Sequence, residues 1–184
     1  MCTTLTHIGM PGQLTPGTCL EVFMWLVIKC GLNSNSVFAD LGAGLSFVLN
    51  CMAVLCPGLR CWGSDLCKTL ILKSNGILNK LAEEGFYLNV QNEVLDILDL
   101  KSFGCLTIIF SFAVGMPRNV HEHIFELFLK SLHANFLVWT TKIPDDDLKQ
   151  YDIECIQSVR GHITGPKHEE HKIYFYQKNK KTVE

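Results

Sequence analysis

Short apolar runs of strand length alternate along this chain with longer segments whose apolar residues recur every three or four positions. Thr18–Cys30 carries the helical rhythm, with Leu20, Phe23, Met24, Val27 and Ile28 predicted on one inward face. Thr15-Pro16 supplies its start signal and Gly31 its stop. Ser36–Asp40 reads as a first strand, Leu45–Leu55 as a helix closed by Pro57-Gly58, and Arg60–Ser64 as a second strand ending at Asp65. Leu70–Glu84 is an amphipathic helix closed by Gly85, and Tyr87–Gln91 a third strand. Leu106–Phe112 is almost wholly apolar, as suits a central strand buried on both faces. Val120–Leu132 is predicted helical with Ile124, Phe125, Leu127, Phe128 and Leu132 inward, followed by a strand over Asn135–Thr140. Tyr151–Val159 and His171–Gln177 flank a loop containing Gly and His and read as an antiparallel pair.

Strands alternating with helices predict an α/β fold. The expected architecture is Rossmann-like: a doubly wound, seven-stranded sheet with a C-terminal antiparallel hairpin, formed by one domain over residues 1–184. The composition agrees, with 48% hydrophobic and 18% charged residues. A formal net charge of −2 argues against strong nonspecific binding to nucleic acid. The basic tail Lys178-Asn179-Lys180-Lys181 reads as a solvated end. Nine cysteines are an odd number without a CxxC, so metal knuckles and a disulfide framework are both disfavoured. Cys19, Cys30, Cys51, Cys105 and Cys155 lie in apolar runs and are expected to act as small buried hydrophobes, reduced in an intracellular compartment. No membrane partner is expected: the run Cys19–Ile28 is too short to span a bilayer and carries Glu21, and Met1–Leu5 lacks the basic start of a signal peptide.

In such sheets ligands bind beyond the carboxyl ends of the strands. The first strand runs into Asp40-Leu41-Gly42-Ala43-Gly44, where glycines let the backbone approach a ligand and a following helix offers free N–H groups. Asp65 stands about 20 residues past that turn, where an acid can bond ribose hydroxyls or, alternatively, start the next helix. Asp96-Ile97 pairs an acid with an apolar residue and suits an adenine ring, with Glu93 and Asp99 as rivals. Ser111 is a polar residue between Phe110 and Phe112; it could equally be a buried hydroxyl bonded to backbone. His121-Glu122-His123 and His168-Glu169-Glu170-His171 are not HExxH and are expected to be surface histidines without metal. His162 and His168 are expected near the rim of the site. Asp145-Asp146-Asp147 reads as a solvated helix start.

This arrangement resembles the class I S-adenosylmethionine-dependent methyltransferases over nearly the whole chain. Within them it is most similar to the Dot (disruptor of telomeric silencing) group of histone lysine methyltransferases. The closer likeness lies in Gly12-Gln13-Leu14-Thr15, in Val37–Gly44, in Phe112-Ala113-Val114-Gly115-Met116-Pro117 and in Thr140-Thr141-Lys142-Ile143-Pro144, with the aromatic strand Tyr174-Phe175-Tyr176 at the end. The resemblance implies S-adenosylmethionine as cofactor. Asp40, Gly42 and Gly44 would hold its methionine part, Asp65 its ribose, and Asp96 and Ile97 its adenine, with Gln13 and Thr15 contacting the cofactor from the loop before the first helix. Ser111 and Phe112 would line the methyl-transfer channel as the catalytic pair. The partner implied is a basic protein such as a histone, in the nucleus. The chain departs from that group at Gln13 (a Glu there), at Ser46 (a third glycine), at Phe47 (a polar contact), at Ser111 (an Asn) and at Val114 (an aromatic).

The chemistry implied is displacement at a sulfonium methyl by a lysine amine, whose pKa of about 10.4 an apolar channel would lower. Phe110, Phe112 and Trp139 are candidates for that channel and equally for the core. A non-catalytic methyltransferase-like binding module and a small-molecule N-methyltransferase are the alternative functions.

Overall fold

The computed structural model describes residues 13–164 and 170–179. Its elements are β1 (Gln13–Leu14), α1 (Pro16–Cys30), β2 (Val37–Leu41), α2 (Phe47–Leu55), β3 (Arg60–Asp65), α3 (Lys68–Glu83) and β4 (Val90–Val94). There follow β5 (Ile108–Ser111), α4 (Arg118–Lys130), β6 (Phe136–Trp139), α5 (Asp145–Gln150), β7 (Ile153–Thr164) and β8 (Glu170–Lys178). They build one eight-stranded sheet in the order β1-β7-β8-β6-β5-β2-β3-β4. The strands β4, β3, β2, β5 and β6 are parallel, and β8, β7 and β1 continue the sheet antiparallel. The doubly wound fold with a terminal hairpin is thus present, with an eighth strand beyond the seven expected. Two residues suffice for it because Gln13 and Leu14 pair with Thr164 and Ile163 at the hairpin's end.

Strand order reverses at β2, which pairs with β3 on one side and β5 on the other. The crevice beyond these carboxyl ends is where such sheets bind ligands. Period-two alternation gives the sheet two buried faces. Phe38, Phe110, Val138 and Phe175 pack with Val22, Leu26, Leu49 and Met52 of α1 and α2. Ala39, Leu41, Ile109, Leu137 and Tyr176 pack with Ile124 and Phe128 of α4.

Thr15 and Gly31 bound α1 as expected: the Thr15 hydroxyl accepts from the Thr18 N–H, and Gly31 adopts a left-handed φ of 65°. Of the five positions predicted on the inward face, Phe23 packs against the core and the other four do not. Thr18, Cys19, Val22, Leu26 and Cys30 point inward, while Leu20, Met24, Val27 and Ile28 are exposed. The helix is apolar on both sides, so its rhythm does not choose between them. The Thr18 hydroxyl, which donates to the His162 carbonyl oxygen at 3.3 Å and accepts from the His162 N–H at 3.0 Å, fixes the rotation from across the chain.

Other boundaries shift for similar reasons. The third parallel strand is Val90–Val94 rather than Tyr87–Gln91, because its register is set by β3, Cys61 to Val90 through Asp65 to Val94. Leu132 is exposed rather than inward because α4 ends at Lys130. Lys178 is not a solvated tail residue: its ammonium donates to the carbonyl oxygens of Phe128 and Ser131 and so closes the end of α4. Lys180 and Lys181 lie outside the described residues. The Asp145–Asp147 run occupies the first turn of α5. Cys105 and Cys155 are exposed rather than buried in apolar surroundings. No described helix is long and apolar enough to cross a membrane.

Candidate functional site

The strand β2 delivers Asp40 to the crevice on the α1–α2 side of the sheet. Its neighbours across the ladder are Gly63 and Phe110. Asp40 is 3% exposed, and its Oδ1 has no hydrogen-bond partner. Burial, with the nearby charge of Asp65, raises its pKa from the ordinary 3.8 to about 8. A buried carboxyl with an idle oxygen is costly unless something meets it, and it marks a place prepared for a ligand donor.

The turn that follows is built from backbone held at three points. Gly42 and Ala43 both donate their N–H to the Ser64 carbonyl oxygen at 2.8 Å. Gly44 donates its N–H to Asp65 Oδ2 at 2.9 Å. Gly42 and Gly44 have φ of 84° and 56°, a region in which a side chain is strained. Ser46 also lies there, at φ 58°, although it carries a side chain. Its hydroxyl donates to Asn92 Oδ1 at 2.7 Å, and the Asn92 amide donates onward to Ser74 and Asn75. This buried polar chain compensates a left-handed serine where a third glycine was expected.

Asp65 is occupied on both oxygens. Besides Gly44 it accepts the N–H of Cys67 at 2.7 Å, just ahead of α3. It therefore ties the glycine turn to the start of the next helix. Asp96 caps the short turn Ile97–Asp99 through the Leu98 N–H at 2.9 Å. Ile97 is 8% exposed and packs in the core on the α4 side, among Ala39, Leu41 and Phe103.

Ser111 lies on the α4 face of β5 and Asp40 on the opposite face of the sheet. The Ser111 hydroxyl is fully buried and donates to the Leu41 carbonyl oxygen at 2.9 Å, 3.9 Å from the Met116 sulfur. The aromatic neighbours divide similarly. Phe112 lines the cavity at the glycine turn and meets His171 edge-on at 5.3 Å. Phe110 packs against Phe38 within the core, the two rings tilted by 30°, and also borders that cavity. Trp139 is buried against His121 on the other face, away from it.

Gln13 and Leu14 reach the site from β1, and Thr15 joins it to the hairpin through its N–H on the His162 carbonyl oxygen at 2.9 Å. His162 is exposed at the end of β7; Gly12 and His168 lie outside the described residues. His121 and His123 are half-buried, with ring nitrogens on the Met116 and Leu100 carbonyl oxygens, rather than free surface histidines. Among the described residues no cluster of His, Cys, Asp or Glu could hold a metal ion. Sequence reading missed Met116, whose methyl carbon lies 2.5 Å from where a Cβ on Gly42 would stand. No spacing signal marks it, since the contact joins two separate strand ends.

The cavity bounded by Gln13, Asp40, Gly42, Phe47, Phe110 and Phe112 has a volume of about 40 Å³. A wider hollow of about 420 Å³, near Asp145, Asp152 and Glu154, lies at the other end of the sheet, because Ile153 pairs with Lys178 below the Phe136–Gln177 pair. It has no part in the crevice at Asp40.

The same fold occurs in solved methyltransferase structures. Magnesium protoporphyrin IX methyltransferase (ChlM) from Synechocystis PCC 6803, solved with SAM bound, superposes with a TM-score of 0.68 at 13% identity, covering 89% of this chain and 79% of its own. PH1948 from Pyrococcus horikoshii gives 0.63 at 17% identity over 92% and 87%. TrmK from M. capricolum, solved with S-adenosyl-homocysteine, gives 0.61 at 11% identity over 94% and 71%. No family model and no curated protein sequence matches this chain. The fold is accordingly the Rossmann-like α/β fold that these methyltransferase structures share.

Proposed function

We propose that this protein is an S-adenosylmethionine-dependent methyltransferase. The observation that carries the reading is Asp40, a buried carboxyl with an idle oxygen beside a left-handed glycine turn at the sheet's switch point. The donor set suits the cofactor's amino acid part: Asp40 holds the cationic amine, and the turn at Gly42–Gly44 brings backbone close. Arrival of that cation favours ionisation of Asp40, which its burial otherwise opposes. Asp65 keeps the turn in place and retains lone pairs for a hydroxyl, since a carboxylate accepts about four bonds. Gln13, Thr15, Asp96 and Ile97 complete the proposed cofactor set.

The bound cofactor supplies a methyl on a positively charged sulfur, already activated for in-line displacement. The protein's part is positioning and exclusion of water, which Phe112 and Phe47 perform along the cavity wall above the buried Phe110. Ser111 acts from beneath, holding the end of β2 through Leu41. Among the described residues no imidazole or second carboxylate lines the cavity as a general base, so an amine substrate would give its proton to solvent before the methyl is transferred.

The resemblance to the Dot group extends the proposal to the lysine of a basic protein such as a histone, and to the nucleus. The solved relatives span other substrates: ChlM acts on a magnesium porphyrin, and RNA methylation is the activity suggested for PH1948. The small cavity and the engaged Ser111 hydroxyl favour a second reading, a methyltransferase-like binding module. Titration calorimetry with S-adenosylmethionine, on the wild type and Asp40→Ala, decides between them. Binding by the wild type that Asp40→Ala weakens at least tenfold, with labelled methyl passing to histones, supports the enzyme. Binding without transfer to any protein in a cell extract supports the module or a small-molecule substrate. Absence of binding ends the methyltransferase reading.

A further inference from the structure

The sheet ends at β4 in an open edge. Val90–Val94 pairs with β3 on one side, and among the described residues no strand lies on the other. The Cys61 N–H donates to the Asn89 carbonyl oxygen at 2.9 Å, and the Leu95 N–H to the Asp65 carbonyl oxygen at 3.1 Å. A parallel strand bonds its neighbour through alternate residues, so Gln91 and Glu93 make the bonds to β3 in between. The N–H and carbonyl groups of Asn92 and Val94 therefore face outward, as does the carbonyl of Val90. The Val90 N–H turns back on the Leu88 carbonyl oxygen at 2.9 Å.

Natural sheets blunt such edges with lysine, proline, bulges or very short strands. At the opposite edge β1 has only two residues. The β4 edge has no such device. It contains neither Lys nor Pro, its register with β3 is unbroken, and Glu93 is its single charge. Its surroundings are apolar as well. Val94 is 45% exposed, and Phe86 and Tyr87, just ahead of the strand, are 61% and 83% exposed.

We propose that β4 pairs antiparallel with β4 of a second copy of this chain, about a two-fold axis at Asn92. The strand is self-complementary in that register. Asn92 meets Asn92 of the second copy, and their outward N–H and carbonyl groups exchange two bonds. The Val94 N–H reaches the Val90 carbonyl oxygen of the second copy, twice by symmetry, so each bond uses a group that β3 leaves idle. On the face away from α3, the exposed Gln91 falls opposite the exposed Glu93, and its amide donates to that carboxylate. The Asn92 side chain points to the other face, onto Ser74 and Asn75 of α3, and stays clear of the pairing. The axis also carries Phe86 and Tyr87 to the end of the facing strand, where Val94 and Leu98 are exposed. A foreign strand would have to match these groups one by one, whereas a second copy matches them by symmetry. The contact is independent of the methyltransferase reading, because Gln91 and Glu93 take no part in the proposed cofactor set.

The test is sedimentation velocity over a range of concentrations, with amide hydrogen exchange, on the wild type, Gln91→Glu, Gln91→Lys and Val94→Pro. The wild type is expected to form a dimer in which the Asn92 and Val94 amides exchange more slowly as concentration rises. Gln91→Glu sets acid against acid at two symmetric places and should weaken the dimer about fivefold or more, whereas Gln91→Lys should hold it as tightly or more so. Val94→Pro removes an N–H that β3 does not use, so it should stay folded and lose the dimer. Thermal unfolding verifies each fold, and the exposed Gln91 variants carry the test if Val94→Pro does not fold. A monomer at every concentration overturns the proposal. So does a dimer that both Gln91 variants leave unchanged or that a folded Val94→Pro retains; loss of that dimer in Ile28→Glu would then place the contact on α1.

Discussion

Asp65 accepts the backbone N–H of Gly44 at 2.9 Å across 21 positions of sequence, and with its other oxygen the N–H of Cys67 at 2.7 Å. One carboxylate therefore joins the glycine turn after β2 to the start of α3. This is a mechanical role, and it is compatible with a ribose hydroxyl on the remaining lone pairs.

Asp65→Ala removes both bonds and frees the turn. The expected cost is about 1.5–3 kcal/mol of stability, the range for a hydrogen bond to a charged group. Binding of S-adenosylmethionine should weaken at least tenfold. Urea unfolding and calorimetry check the two effects separately. Unchanged affinity with lowered stability would assign Asp65 to the turn alone.

Ser46 sets a left-handed conformation, φ 58°, against a 2.7 Å bond to Asn92. Ser46→Gly relieves strain of about 1–2 kcal/mol and loses a bond worth a similar amount, so its stability should stay within about 1 kcal/mol of wild type. Ser46→Ala keeps the strain and loses the bond, and should be the less stable of the two by about 1 kcal/mol. The reverse order in urea unfolding would mean that the left-handed backbone at position 46 carries no strain for glycine to relieve.

Asp40 gives the fold a signature in pH. Its carboxyl releases its proton near 3.8 when unfolded and near 8 when folded. Between these values the folded state binds more protons, so Asp40 makes stability fall as pH rises, by at most about 1.4 kcal/mol per pH unit. Below pH 4 and above pH 8 its contribution is level. Asp40→Asn should remove this slope while keeping the shape of the side chain. Unfolding free energies of both proteins measured from pH 4 to 8 test it; parallel curves would contradict the burial of a neutral Asp40.

The two faces of α1 predict opposite sensitivities. Leu26 is fully buried and Ile28 is 63% exposed. Leu26→Ala should cost about 2–5 kcal/mol and Ile28→Ala no more than about 0.5 kcal/mol. Comparable losses at both positions would show that the outer face of the helix is covered in solution.

The alternation of short apolar runs with helical periods determined the α/β class, and the residues near each strand end were legible from the same pattern. Asp40, Gly42 and Gly44 could be read because a strand, an acid and two glycines lie within eight consecutive residues. The inward face of α1 could not, since both its sides are apolar and a hydroxyl bond to His162, 144 positions away, sets the rotation. The surroundings of Ser111 were equally out of reach. Its side of the sheet follows from the register of β5, and its bond partner Leu41 lies 70 positions earlier. Local rhythm thus determined by itself which segments are strands and helices and where the glycine turn falls. Only the tertiary structure decided which groups meet at that turn — Met116 against Gly42, Asp65 under Gly44 — because those contacts join strand ends that sequence distance keeps apart and the sheet brings together.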